Sequence, residues 1–160
     1  MKAIVQKLTF WMAIGFGLGL APVASGTFGA LLGLPLVYVI NTYAPSVAVQ
    51  AVIGLVLSLL AIPVCTAAER VYKTKDDGRI VADEWMTFPV CMIGLPLSPL
   101  MLAIAFVTSR ICDIIKPAPA RGLQRLKSGL GIVIDDVIAN VYCLAINHAI
   151  FWALVKYQVM

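Results

Sequence analysis

Residues 85–109 read WMTFPVCMIGLPLSPLMLAIAFVTS, 25 positions without a charge, interrupted at their centre by GLPLSP (94–99). One helical crossing takes about 20 apolar residues for a hydrocarbon core of roughly 30 Å. Gly94, Pro96 and Pro99 argue against a straight helix here, because proline lacks a backbone donor and its ring clashes with the preceding turn. The stretch predicts a hairpin of two short helices, each about 15–17 residues or roughly 24 Å long. Arms that short draw their charged ends slightly below the headgroups. The hairpin also decides where the flanking charges meet. If the chain doubles back, Glu84 and Arg110 share one membrane face; a straight helix would put them on opposite faces.

The rest of the chain is equally apolar. Of 160 residues, 61% are apolar and 12% charged, with mean hydropathy +0.96, against about 45–50% and about 25% in soluble domains. Such a chain cannot bury its apolar surface within itself, and it reads as one membrane-embedded domain spanning 1–160. The net charge of +4 is spread along the sequence. No zinc finger or arginine-rich arm is present, so the balance points to the membrane surface rather than nucleic acid. No protein partner is predicted. Cys65, Cys91, Cys112 and Cys143 have neither Cys-x-x-Cys nor Cys/His ligand spacing and read as small hydrophobes. Lys2 and Lys7 precede an apolar run ending in PVASG (22–26), which imitates a signal peptide. The run is glycine-rich and continues into further apolar sequence, so we expect it to be retained.

No charge occurs between Leu8 and Ala68. Within that length GFGLGLAPVASGTFG (15–29) is rich in helix breakers and predicts a broken, re-entrant or interfacial element. Helices are expected at about 27–42 and 47–68, joined by NTYAPS (41–46). After the hairpin, Pro119 would start a short surface helix carrying Arg121, Arg125 and Lys127 and ended by Gly129. A last helix is expected from Ile132 to Lys156. The fold class is an all-α membrane bundle of about five crossings, two of them short, plus the re-entrant start. Arg70, Lys73, Lys75 and Arg79 lie in one connection and Lys116, Arg121, Arg125 and Lys127 in another, whereas NTYAPS and GLPLSP hold no cation. By the positive-inside rule the basic connections are cytoplasmic.

All eight acidic residues fall between Glu69 and Asp136. Asp83 and Glu84 open the third crossing, Asp113 closes the fourth, and Asp135 and Asp136 lie near the start of the fifth, so a hairpin would gather five carboxylates on one side. Arg79–Asp83 and Arg110–Asp113 have helix-pair spacing, but five clustered acids need more cations than these. Interfacial carboxylates normally face a partner, a metal or water, and an oxygen-rich site suits a hard ion such as Mg²⁺. Other chemistries are pruned. His148 is the single histidine and lies toward the far side, where it reads as structural. No Cys stands six positions before an Arg, and no Gly-x-Ser-x-Gly or Walker motif occurs.

Four segments in register, SGTFGALLGLP (25–35), DDGRIVADE (76–84), SRICDIIKPAP (109–119) and GLGIVIDDVIAN (129–140), resemble the phosphatidylglycerophosphatase A family. The likeness spans roughly residues 13–145. It implies a Mg²⁺-dependent lipid phosphatase of the bacterial inner membrane that converts phosphatidylglycerophosphate to phosphatidylglycerol. The family's Gly-Thr-x-Gly falls on Gly26, Thr27 and Gly29, its Asp-x-Gly on Asp76 and Gly78, and its Asp-Glu pair on Asp83 and Glu84. The Arg-x-x-Asp-x-x-Lys-Pro element falls on Arg110, Asp113, Lys116 and Pro117, and the Asp-Asp pair on Asp135 and Asp136. Ser25 stands where proline is common, Ser109 where phenylalanine is usual, and Ser128 where the first of two glycines is usual. These departures bear on loop geometry rather than on charged residues.

On this basis Asp83, Glu84, Asp135 and Asp136 are the expected metal ligands, direct or through water, and with Asp113 make up the catalytic carboxylates. Arg110 and Lys116 would hold phosphate oxygens. Thr27 would add a hydroxyl at a helix start, or simply cap it. The nucleophile is water or an aspartate. An alcohol phosphatidyltransferase is a rival, but DGRIVADE lacks the Ala-Arg of that pattern. A cation transporter would place charges at mid-membrane or on both faces.

Overall fold

A computed structural model describes residues 2–158, and the side chains of Lys2 and Ala3 are not among those described. The chain forms helices α1 (Lys2–Ala13), α2 (Ser25–Tyr43), α3 (Val47–Tyr72), α4 (Ala82–Thr87), α5 (Pro99–Ile115), α6 (Ala120–Leu123) and α7 (Gly129–Lys156). Short 3₁₀ segments at Gly15–Leu20 and Phe88–Met92 follow α1 and α4. Among the described residues there is no strand, in agreement with the all-α expectation. Three helices, α2, α3 and α7, are long and apolar enough to cross a membrane. The two arms of the hairpin are shorter, so the count of five crossings rests on them.

The hairpin forms, with unequal arms. Its second arm, α5, has 17 residues, as expected. The first is only six residues of α-helix and five of 3₁₀, shorter than the predicted 15–17. Pro89 is the cause: it has no N–H for an α-helical bond, and the chain tightens there instead. The tip, with Gly94 at φ +73°, is tied to the far ends of the neighbouring helices. Gly94 N–H donates to Gln50 Oε1 at 2.9 Å, Asn41 Nδ2 donates to Leu95 O at 3.3 Å, and His148 Nε2 lies 3.0 Å from Ile93 O. His148 thus serves the backbone of the tip.

The broken element after α1 is confined to residues 14–24, and α2 starts at Ser25, two residues earlier than expected. Gly17 has φ +106°, a left-handed conformation that glycine adopts without steric cost. The turn lets Ala13 O accept from Val81 N–H at 2.8 Å, docking the segment that leads into α4. α2 then presents Gly29 and Gly33, whose missing side chains leave room for Val81 and Phe88. Such close approach of small residues is the usual packing device where lipid offers no hydrophobic drive.

Two corrections concern the last connection. The surface helix ends at Leu123, so Arg125 and Lys127 lie in the turns beyond it. Gly129 opens α7 rather than closing the surface helix, because Ser128 at φ +57° breaks the helical path between them. α7 packs along both α3 and α5. One apolar core joins Ala61, Cys65, Met86 and Val133, and another joins Phe88, Cys91, Met101, Ala139 and Cys143. α7 runs through both, α4 lines the first, and the 3₁₀ segment after α4 lines the second.

Candidate active site

Asp83 and Glu84 are in the first turn of α4, where the unpaired N–H groups of a helix start favour negative charge. Asp136 lies in the second turn of α7. Asp83 and Asp136 are only 6% and 4% exposed. One oxygen each from Asp83, Glu84 and Asp136 lies within 4.8 Å of the others. Buried Asp83 Oδ1, Glu84 Oε2 and Asp136 Oδ2 have no hydrogen-bond partner. At that spacing two ionised carboxylates repel by on the order of 3 kcal/mol, even at an effective dielectric of about 20. Closely spaced carboxylates that each keep an unpartnered oxygen are a set of hard donors that could hold a cation.

The neighbouring cations are already engaged. Arg110 Nη2 donates to Asp113 Oδ2 at 3.1 Å, and Lys116 Nζ donates to Asp135 Oδ2 at 2.6 Å. Lys116 is the αL cap of α5 (φ +48°), which turns the chain out of the helix beside α7. Burial opposes its charge, but the bond to Asp135 and the nearby Asp113 and Asp136 outweigh this and raise its pKa. Five carboxylates therefore face two cations, and both cations are bonded to acids outside the close trio. Arg110 Nε and Asp135 Oδ1 remain buried without partners, leaving a donor and an acceptor at the rim.

The start of α2 closes the site. A side chain on Gly26 would collide with Glu84 Oε1 and come within 3.2 Å of Arg110 Nη1, so both ends of the hairpin converge there. Thr27, next in sequence, is half-buried in the same first turn, and its N–H donates to Ala24 O at 2.9 Å. The structure thus brings Asp83, Glu84 and Asp136 into one cluster and gives Asp135 to Lys116 and Asp113 to Arg110, while Thr27 follows the glycine that abuts Glu84. Asp76 is exposed and accepts from Gln124 Nε2 at 2.8 Å, while its N–H donates to Glu69 at 3.1 Å.

A buried polar chain beneath the acids went unread in the sequence. Ser109 Oγ donates to Asn140 Oδ1 at 3.0 Å, Asn140 Nδ2 to Thr87 Oγ1 at 2.9 Å, and Thr87 Oγ1 to Asp83 O at 2.7 Å. It links α5, α7 and α4 directly under the carboxylates, and a satisfied buried network of this kind fixes one geometry. The signal was spacing: Thr87 follows Asp83, and Asn140 follows Asp136, by four positions, the same helix face. The network also explains Ser109, since phenylalanine could not make its bond. Ser25 is explained likewise, its hydroxyl donating to Gly78 O.

The family model of phosphatidylglycerophosphatase A matches residues 11–151. The chain is 33% identical over 141 residues to phosphatidylglycerophosphatase A of Escherichia coli, covering 87% of this chain and 81% of that one. It is 34% identical over 146 residues to the Haemophilus influenzae protein of the same name, covering 89% of each. A Bacteroides thetaiotaomicron protein, provisionally named a phosphatidylinositol-3-phosphatase, is 29% identical over 145 residues. No solved structure matches the chain. A family model matching residues 11–151 and two relatives of that name above 30% identity over most of their length leave one assignment: this chain belongs to the phosphatidylglycerophosphatase A family.

Proposed function

We propose that this membrane protein removes the terminal phosphate of phosphatidylglycerophosphate, giving phosphatidylglycerol and phosphate, at the cytoplasmic face of a bacterial inner membrane. The family assignment makes it a phosphatase acting on a lipid phosphate monoester. The observation that carries the site is the trio of Asp83, Glu84 and Asp136, three oxygens within 4.8 Å at one end of the bundle. Their buried, unpartnered oxygens are the donors a hard divalent ion accepts, and Mg²⁺ is the ion proposed. Such an ion would offset the charge of the phosphate oxygens during transfer.

The chain's own groups supply the rest. Arg110, held by Asp113, turns its unbonded N–H groups toward a phosphate, and Lys116 adds a fixed positive charge. Phosphoryl transfer depends chiefly on such positioning and charge neutralisation. Asp135 holds Lys116 with one oxygen and keeps Oδ1 free to accept a proton. In this reading water attacks phosphorus, a carboxylate takes its proton, the bond from phosphorus to the glycerol oxygen breaks, and that oxygen is reprotonated from solvent. The face follows from the basic connections: a substrate made from cytoplasmic precursors then reaches the carboxylates without its headgroup crossing the bilayer.

The direct test is phosphate release from phosphatidylglycerophosphate by the purified chain in detergent, with and without Mg²⁺. Turnover that requires the ion is expected. Failure to release phosphate under any metal condition would refute the reading.

A further inference from the structure

An open cavity lies outside the carboxylate cluster. It has a volume of about 360 Å³, and Arg70, Lys73, Lys75, Arg125 and Lys127 line it with Glu69 as the sole acid. Among the described residues none of these five cations forms an ion pair, whereas Arg79, Arg110 and Lys116 each hold a carboxylate. Among the described residues none donates a side-chain hydrogen bond either. All five are solvent-exposed, so the cavity gathers hydrated cations that an anionic ligand can reach.

The cavity is built by packing rather than left by a loose surface. Its two walls are distant in sequence: the end of α3 with the turn after it, and the connection before α7. Gly129 joins them. Its N–H donates to Thr66 Oγ1 at 3.2 Å, and its Cα is so close to Ile62 O and Thr66 that no side chain would fit. The bond from Gln124 to Asp76 ties the same walls a second time.

Beside the cavity a mostly apolar groove of about 370 Å³ runs between α1 and α3, lined by Val5, Phe10, Ala67 and Val71 with the polar Gln6 and Thr9, and Arg70 is shared by both. A shallow cationic depression beside a mostly apolar groove, with Arg70 in both linings, matches a molecule with an anionic head and a hydrocarbon chain. We propose that it binds an anionic phospholipid, its phosphate among the five cations and an acyl chain along the α1–α3 groove. Charge selects the class: a zwitterionic lipid brings an ammonium that the cations repel, and a basic pocket at the end of a membrane helix attracts acidic lipid. The site is separate from the reaction centre, since none of Asp83, Glu84, Asp113, Asp135 or Asp136 lines it.

The experiment uses the purified full-length chain in dodecyl maltoside, with native mass spectrometry to count retained lipid. The probe is dioleoyl phosphatidylmethanol, an anionic phosphodiester that is neither substrate nor product; dioleoyl phosphatidylcholine and inorganic phosphate are compared. One phosphatidylmethanol should be retained at least tenfold more tightly than phosphatidylcholine, and millimolar phosphate should not displace it. R125Q/K127Q should weaken retention about tenfold, and K73Q/K75Q, on the opposite wall, should do the same. R121Q/K156Q removes equal charge outside the cavity and should change little. Equal losses in all three double variants would overturn the proposal in favour of general surface charge. Equal retention of phosphatidylcholine, or displacement by phosphate, would overturn it as well.

Discussion

Glu84 and Arg110 stand at opposite ends of an uncharged stretch of chain, yet both face Gly26 at the start of α2. The hairpin makes this meeting possible, and the bare Cα of the glycine leaves room for it. Gly26→Ala places a methyl group against both charged groups. Activity is expected to fall at least tenfold while the protein still inserts and purifies. Gly122→Ala is the control, because nothing lies within 4 Å of a Cβ there. Equal activity of the two variants would show that the contact at Gly26 is unimportant.

Asp136→Asn keeps the side chain's shape and removes one of the three clustered charges. Turnover should drop by about 10²-fold or more, the scale seen when one preorganised charge-stabilising group is lost. Glu69→Gln, outside the cluster, should change turnover by less than about threefold. Phosphate release under saturating substrate checks both, and similar small effects would mark Asp136 as an ordinary structural acid.

Metal removal separates a cation site from a cluster relieved by protonation. EDTA should abolish phosphate release and added Mg²⁺ should restore it. Removal should also lower the melting temperature of wild type more than that of Asp136→Asn, because an ion bound only to the folded state stabilises it. Undiminished turnover after exhaustive chelation would eliminate the metal.

Sidedness follows from the hairpin. The four cysteines are buried; with them replaced, single cysteines are placed at the exposed positions Pro96 and Lys127. In intact cells a membrane-impermeant thiol reagent should label position 96 and spare 127. The reverse pattern would invert the orientation.

The loop before α4 carries a pH-dependent pair. Arg79 Nε donates to Asp77 Oδ1 at 2.7 Å and its guanidinium sits 3.7 Å above the Tyr72 ring. The hydrogen bond from Arg79 holds the Asp77 carboxyl below its ordinary range, against partial desolvation. With its folded value depressed, the pair's contribution is present above the unfolded pKa of about 3.9 and is lost as pH falls through the folded value. Asp77→Asn should therefore melt about 1–3 °C lower at pH 7. The gap to wild type should narrow steadily below pH about 4.

The long elements were legible because their signals are local. Uncharged runs bounded by NTYAPS and polar connections located α2 and α3 within a few residues, and the acids at the ends of apolar segments pointed to the cluster. The hairpin was legible from Gly94, Pro96 and Pro99. Two kinds of feature were not. Pro89 stood in plain sight, but whether one proline kinks or shortens a helix depends on what surrounds it. The cationic cavity and the Ser109–Asn140–Thr87 chain join residues distant in sequence, and only packing brings them together. Ser128 lay between: it occupies a backbone conformation that favours glycine (φ +57°), which accords with the family's glycine there.

The polar ties at the hairpin tip bear on how the protein is assembled in the cell. The carbonyls of Cys91, Ile93 and Leu95 leave regular helix, and lipid cannot solvate them. Asn147 Nδ2 reaches Cys91 O at 3.0 Å and His148 reaches Ile93 O, both from α7, which is synthesised after the hairpin. Until α7 enters the bilayer, the hairpin has open backbone groups and the cluster lacks Asp136. A chain that stops before α7 therefore lacks both these ties and Asp136, and it is expected to insert poorly and to release no phosphate.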